Sequence, residues 1–134
     1  MDFKFTDGQQ MLRDVAAQFA ENELEPIAAE LDLEHRFPRE SFEKMVAAGY
    51  AGIGVPREYG GSGGGDIEKV IVVEEFAKKC MASSSIISIH LITPHLINKF
   101  GTEDQKKKFL PRITSGGGLA AFALTEPGAG TDAG

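Results

Sequence analysis

The sequence contains no tryptophan and a single cysteine, Cys80, among its 134 residues. One cysteine cannot form a disulfide within the chain, so we expect a reducing compartment, the cytoplasm. Basic residues are also scarce, because 14 lysines and arginines against 20 aspartates and glutamates give a net charge of −6. No segment combines clustered positive charge with aromatic residues, and we therefore expect no nucleic-acid partner.

Long hydrophobic runs are missing as well. Each extended apolar stretch contains Glu, Lys or His, so the sequence predicts no membrane span. The first ten residues, MDFKFTDGQQ, have neither the apolar core of a signal peptide nor the arginine-rich, acid-poor character of a transit peptide. We interpret them as the true start of a cytoplasmic protein. A hydrophobic content of 42% is sufficient for one domain with its own core.

The sequence does contain a succession of helix signals. Thr6 with Gln9, and Thr102 with Gln105, have the spacing of a capping box. A β-branched run after Asp66 is compatible with a strand, but its EEFAKK ending favours a helix. The apolar spacing predicts a first helix over about residues 7–24, which extends past Pro26 to 33, and a second from Pro38 to a left-handed cap at Gly49. A third helix is predicted over 66–80 with Asp66 as its cap, and a fourth over 82–100 with a kink at Pro94. A fifth runs from Thr102 to about Leu110.

The end of the chain has a different pattern. SGGG at 115–118 interrupts the helical spacing, and LAAFAL at 119–124 is the first segment with strand character. About five helices followed by one strand predict an all-α domain of orthogonal or up-down helices, with the first strand of a missing neighbouring domain at its C-terminus. We place the domain boundary between residues 117 and 118, so that 1–117 form the helical domain and 118–134 the truncated start of the next.

Most of the chemically capable groups have a simpler structural explanation. The glycine-rich loop at 60–65 lacks the Gly-Lys-Ser/Thr ending of a phosphate loop, and a flexible connector is the preferred interpretation. His90 and His95 are five residues apart, a spacing that matches no helical metal pair, so we interpret them as partly buried polar residues. Cys80 is interpreted as a core residue, and Ser83 as a helix cap or a residue at the border of a pocket. The carboxylates Glu74, Glu75 and Glu126 have no visible catalytic partner.

The last residues are more specific. FALTEPGAGTDAG at 122–134 resembles the flavin-proximal signature of the acyl-CoA dehydrogenase family. PREYGGSG at 56–63 resembles that family's Pro-x-x-Tyr-Gly-Gly-x-Gly loop, and FGTEDQKKKFLPRITSG at 100–116 resembles the segment that precedes its first strand. The resemblance covers nearly the whole chain in the expected order. It is nearest to the short-chain or butyryl-CoA dehydrogenases.

The resemblance implies a fold and an activity. Family members have an N-terminal helical domain, a middle β-domain and a C-terminal helical bundle, so 1–117 correspond to the first domain and 118–134 to the start of the second. The implied reaction oxidises an acyl-CoA thioester to the 2,3-enoyl-CoA, with removal of the α-proton and hydride transfer to flavin N5 of FAD. The catalytic glutamate belongs to the missing C-terminal domain, so no catalytic residue and no metal ligand is assigned here. The alternative is a non-catalytic helical interaction module derived from the family.

The resemblance also implies site residues and partners. The expected partners are the acyl-CoA substrate, an electron-transfer flavoprotein as acceptor, and copies of the same chain in a homotetramer. We expect the isolated chain to be truncated, to expose an apolar face, and to hold no FAD on its own. The implied cofactor-binding residues are Phe122, Leu124, Thr125, Gly130 and Thr131, where Thr131 also reaches towards the substrate and replaces a frequent Ser. The implied acyl-chain residues are Ser84, Ser88 and Ile92, spaced i, i+4, i+8 on one helical face.

Overall fold

The computed structural model describes residues 4–132. Short 3-10 turns lie at Tyr50–Gly52 and Arg57–Tyr59. The described residues form no β-sheet, and the prediction of an all-α domain is confirmed. The α-helices are α1 (Asp7–Phe19), α2 (Glu25–Glu34), α3 (Arg39–Ala47), α4 (Asp66–Ala77), α5 (Met81–Phe100) and α6 (Glu103–Thr114).

Helices α1 and α2 form one continuous rod. A π-helical turn, Ala20–Leu24, joins them, and Ala20 and Leu24 are both fully buried. Pro26 lies in the first turn of α2, directly after this π-helical turn, where its missing N–H removes one bond from the helical series. The rod starts at Thr6, whose Oγ1 accepts from the Gln9 N–H at 3.2 Å while Gln9 Oε1 accepts from the Thr6 N–H at 3.0 Å. This capping box is the one that the sequence predicts.

The core lies between α1, α4 and α5. Phe19, Tyr50 and Phe76 form an aromatic trio with centroid separations of 4.9 to 5.4 Å. Such contacts add to the stabilisation that burial itself provides. Burial opposes ionisation of Glu75, but its hydrogen bonds with Lys78 and Arg13 outweigh that effect and lower its pKa. Since Arg13 belongs to α1, Glu75 ties α1 to α4, which is a structural role.

The glycine-rich segment is a loop, as predicted, but specific contacts hold it in place, which corrects its interpretation as a flexible connector. Tyr59 is buried, and its hydroxyl donates to Glu103 Oε2 at 2.6 Å, which raises the pKa of Tyr59 to about 12. A Cβ atom on Gly61 would lie 2.1 Å from the Val55 carbonyl oxygen. The glycines therefore allow two backbone strands of one loop to approach each other, while Tyr59 fixes the loop to α6.

Two predicted helix caps are also corrected. Gly65, not Asp66, is the N-cap of α4, and Glu68 accepts the Gly65 N–H at 2.7 Å because the carboxylate three residues into a helix can fold back to its start. Cys80 precedes α5 as its N-cap, whereas Ser83 is buried within the helix with its Oγ 3.2 Å from Cys80 Sγ. The burial of Cys80 agrees with its interpretation as a core residue.

Helix α6 extends beyond the predicted end at Leu110. It continues through Pro111 to Thr114, because Leu110 and Thr114 are buried and the Thr114 hydroxyl donates to the Pro111 carbonyl at 3.2 Å. The segment at 119–124 does not form the expected strand within this chain. A strand requires a neighbouring strand for its backbone groups, and the described residues provide none.

Candidate functional site

An apolar groove runs between α4 and α5. Its volume is about 510 Å³, which falls in the range of small-molecule sites. Val70 on its edge is 62% exposed, so the apolar surface predicted for this part of the sequence is present. The apolar walls of the groove consist of Val70, Val73, Ala77, Leu91 and Ile92.

One end of the groove is polar. Lys69 Nζ lies 2.8 Å from Asp66 Oδ1 and 3.0 Å from His95 Nδ1. The hydrogen bond from Lys69 is the main reason that the pKa of Asp66 is lowered. A lysine donates but cannot accept, so Nδ1 of His95 is the acceptor when Lys69 is charged. This rim is a small hydrogen-bonded cluster with a cation at its centre.

The structure separates the three predicted acyl-chain residues. Ser88 and Ile92 line the groove, as the i, i+4 spacing on α5 predicts. Ser84 does not line it, because its hydroxyl donates to the Val73 carbonyl at 2.8 Å and the residue is buried between the two helices. We therefore assign Ser84 to the packing of α5 on α4 and keep Ser88 and Ile92 as the residues that face the groove.

The segment with the flavin-signature residues leaves the helical body beside α5. The Ala120 N–H donates to His90 Nδ1 at 3.1 Å, and Thr93 Oγ1 donates to the Ala121 carbonyl at 3.0 Å. Thr93 directly follows Ile92 of the groove, so one helix carries both the groove wall and the anchor of the segment.

Beyond this anchor the segment presents free hydrogen-bonding groups. Within the described residues, the backbone N–H groups of 122–125 make no hydrogen bond. Phe122 and Leu124 are 47% and 54% exposed, and Thr125, Gly130 and Thr131 are exposed as well. A tight turn follows, in which Glu126 N–H donates to the Ala129 carbonyl at 2.9 Å and Ala129 N–H donates back at 3.2 Å. These N–H groups are the ones that a neighbouring strand would bond, and the described residues contain no such strand.

Other kinds of site find no support in the part of the chain that the structure describes. No three His, Cys, Asp or Glu side chains in residues 4–132 come close enough together to hold a metal ion. Among the same residues, no helix combines the length and hydrophobicity that crossing a membrane requires.

These features define a class: a helical domain with an apolar groove between α4 and α5, in which α5 also anchors an exposed C-terminal segment. Comparison with known proteins identifies the family. A model described as "Acyl-CoA dehydrogenase, N-terminal domain" matches residues 6–117. The chain therefore belongs to the acyl-CoA dehydrogenase family, and the resemblance of its motifs is confirmed.

Two curated relatives have names that describe opposite directions of reaction, one a reductase and the other a dehydrogenase. Acryloyl-CoA reductase (NADH) from Anaerotignum propionicum is 63% identical over 134 residues, which are 100% of this chain and 34% of that protein. The short-chain specific acyl-CoA dehydrogenase of Clostridium acetobutylicum is 46% identical over 135 residues, covering 100% of this chain and 36% of that protein. The chain thus spans about a third of the length of these relatives.

Solved structures share the fold. Butyryl-CoA dehydrogenase from Megasphaera elsdenii has a TM-score of 0.90 at 39% identity and covers 99% of this chain and 36% of its own. A chain in the structure described as the electron transferring flavoprotein of Acidaminococcus fermentans has a TM-score of 0.90 at 44% identity, with 99% and 35% covered. An acyl-CoA dehydrogenase complexed with FAD from Bacillus anthracis has a TM-score of 0.81 at 34% identity, with 97% and 22% covered.

Sequence reasoning missed several residues of the groove. Val70, Val73 and Ala77 recur at helical spacing along α4, and this spacing was a usable signal for one continuous wall. Lys69 and His95 gave no such signal. They are 26 positions apart, and only the packing of α4 on α5 brings them together.

Proposed function

We propose that this chain is the N-terminal part of an FAD-dependent acyl-CoA dehydrogenase that acts on the Cα–Cβ bond of a short acyl-CoA thioester. The observation that carries the proposal is that one helix, α5, contributes both to the wall of an apolar groove and to the anchor of the segment with the flavin-signature residues. FAD, when bound, accepts the hydride released from Cβ, and the catalytic base that removes the α-proton comes from outside this chain.

In this proposal the chain's own residues bind and orient. Leu124 and Thr125 provide backbone and hydroxyl groups to the edge of the flavin ring, and Phe122 packs against the ring system. Gly130 and Thr131 approach both FAD and the acyl-CoA. Positioning of this kind accelerates transfer between two bound partners because the reacting atoms are already aligned. The Bacillus anthracis relative complexed with FAD supports FAD as the cofactor.

The direction of the reaction has a second candidate. The 63% identity with acryloyl-CoA reductase (NADH) favours reduction of a 2,3-enoyl-CoA over oxidation of the saturated thioester. The same groove and donors serve either direction, because forward and reverse reactions pass through one transition state. The full-length protein should be assayed with butyryl-CoA and a dye acceptor, and with acryloyl-CoA and reduced flavin. The faster direction at matched concentrations decides between the candidates.

The proposed partners follow from the relatives. The likeness to a chain in the Acidaminococcus fermentans structure supports an electron-transferring flavoprotein as redox partner. We further propose a homotetramer and a cytoplasmic location, both from the family resemblance and the sequence. A non-catalytic interaction module derived from the family is the alternative. Full-length protein that is purified without flavin and takes up none on titration would favour that alternative.

The cofactor role is tested at Thr125. In the full-length protein, Thr125→Ala removes the hydroxyl, and we expect about tenfold weaker FAD binding, since one hydrogen bond to a buried ligand is worth roughly that factor. Thr125→Ser keeps the hydroxyl and is the matched control. Titration of the apoprotein with FAD, followed by flavin fluorescence, measures both. Equal affinities for the two variants would contradict the role given to this hydroxyl.

The groove is tested at Ser88. We expect Ser88→Leu to shift preference towards shorter acyl chains, because each methylene displaced from a pocket changes selectivity by roughly 1–3 kcal/mol. Ser85→Leu is the control, since Ser85 is exposed on the same helix and does not line the groove. The measurement is kcat/KM for thioesters of increasing chain length. An unchanged order of preference in Ser88→Leu would remove α5 from the acyl site.

A further inference from the structure

Two side chains of α5 bind backbone groups of consecutive residues in the terminal segment. His90 Nδ1 accepts the Ala120 N–H, and Thr93 Oγ1 donates to the Ala121 carbonyl. Residues three apart on a helix lie on the same face, so both reach the segment together. One acceptor and one donor from the helix therefore hold the segment at two adjacent residues. We call His90 and Thr93 the α5 clamp.

The His90 ring is fixed from several sides. The residue is fully buried, and its ring packs edge-on against Phe42 at a centroid distance of 5.0 Å. Because Nδ1 accepts, the proton of the neutral ring is on Nε2. Burial lowers the pKa of the ring, and an interaction with the Ile113 carbonyl opposes that shift. The buried ring is therefore held by Phe42 on one side and by the Ala120 N–H at Nδ1.

The clamp stands directly before the proposed cofactor residues. Phe122 follows Ala121 directly, and Thr125 is four residues after Ala121, a distance of at most about 13 Å in an extended chain. Within the described residues, no backbone hydrogen bond is formed by 122–125 between the clamp and the turn that starts at Glu126. The clamp is therefore the point at which the helical body holds the start of this interval.

We propose that His90 and Thr93 are positioning residues of the FAD site, which fix the start of the segment 119–125 so that Phe122, Leu124 and Thr125 reach the flavin. This inference rests on the proposed function and goes beyond it, because neither side chain is itself assigned to the cofactor. Loss of either clamp bond leaves the cofactor residues present but displaced, so FAD affinity falls although every contacting residue is retained.

The experiment uses full-length protein stripped of flavin and four variants. His90→Leu removes the acceptor, and His90→Asn retains an acceptor at the δ position. Thr93→Val removes only the hydroxyl at a half-exposed site, and it keeps the test valid if His90→Leu does not fold. His35→Asn, at an exposed histidine, is the control. Two quantities are measured: FAD affinity by fluorescence titration, and hydrogen-deuterium exchange of the peptide that contains 119–125 in the absence of FAD.

We expect His90→Leu and Thr93→Val each to weaken FAD binding by about tenfold and to speed exchange in 119–125, while His90→Asn and His35→Asn stay close to wild type. The inference is overturned if the two clamp variants bind FAD as tightly as wild type, or if His90→Asn is as impaired as His90→Leu. It is also overturned if exchange in 119–125 is unaffected. Failure of the wild-type protein itself to take up FAD overturns the proposed function, and the titration of wild type separates that result from the others.

Discussion

The helical body at 7–114 and the terminal segment at 119–132 depend on different interactions. In the body, Phe76 and Met45 are fully buried, and both capping boxes are formed. No residue of the segment is buried, and Phe122 is 47% exposed. Two side chains of α5 supply the segment's hydrogen bonds to the body. The body is thus stabilised by its own packing, whereas the segment, which has the proposed cofactor residues, contributes little to stability.

The largest expected effect sharpens this contrast with two phenylalanines. Phe76→Ala removes a ring from the aromatic trio, and we expect a loss of about 3–5 kcal/mol in the free energy of unfolding, because a buried cavity remains. Phe122→Ala should change it by less than about 0.5 kcal/mol, since the ring is half exposed. Urea unfolding of the 134-residue chain, followed by circular dichroism, measures both. Similar losses would break the comparison.

Two glycines test the same contrast in the backbone. A Cβ on Gly61 meets the Val55 carbonyl, whereas nothing lies within 4 Å of a Cβ on Gly128. We expect Gly61→Ala to lower the free energy of unfolding by about 1–3 kcal/mol through forced backbone shifts, and Gly128→Ala to leave it unchanged. The same urea titration applies. If Gly61→Ala is neutral, the glycine-rich loop is less tightly packed than the structure indicates.

The smallest expected effect is on the pH dependence of the free energy of unfolding, and it concerns His90, which joins the body to the segment. Burial lowers the pKa of His90, so the folded state stays neutral where the unfolded state, with a pKa of about 6.5, binds a proton. Stability from this group is therefore fully present above about pH 6.5 and falls as the pH drops below it, by at most about 1.4 kcal/mol per pH unit. His90→Asn should flatten that slope relative to wild type. Urea midpoints between about pH 7.5 and 5.5 measure the slopes, and parallel slopes for the two proteins would contradict the prediction.

The body was largely predictable because its helices have local causes. The capping boxes at Thr6 and Thr102 and the cap at Gly49 depend on side chains within a few residues, and the structure contains all three. The errors arose where contacts are distant in sequence. Leu110 was not the end of α6, and the glycine-rich loop was not a loose connector, because burial of Thr114 and of Tyr59 depends on helices elsewhere in the chain.

The residues of the candidate site also differ in whether a local signal in the sequence could predict them. The spacing of Ser84, Ser88 and Ile92 along one helix predicts that they line the acyl-chain pocket, and this role stays a prediction for all three. Ser88 and Ile92 line the groove, whereas Ser84 is buried with its hydroxyl bonded to the Val73 carbonyl of α4. Phe122, Leu124, Thr125, Gly130 and Thr131 were named from the family signature, and their roles stay predictions. The sequence offered no means of joining Lys69 to His95, since the two are 26 residues apart.

The sequence by itself determined the family, the helical class and the start of most helices, because capping, periodicity and signature letters act over a few residues. Tertiary structure alone decided the groove, its polar rim and the clamp on the terminal segment. Each of these requires side chains from separate helices to meet, and such meetings depend on how α3, α4, α5 and α6 pack. His90 illustrates the difference: its letter suggested a partly buried polar residue, and only packing gave its ring a backbone partner 30 residues away.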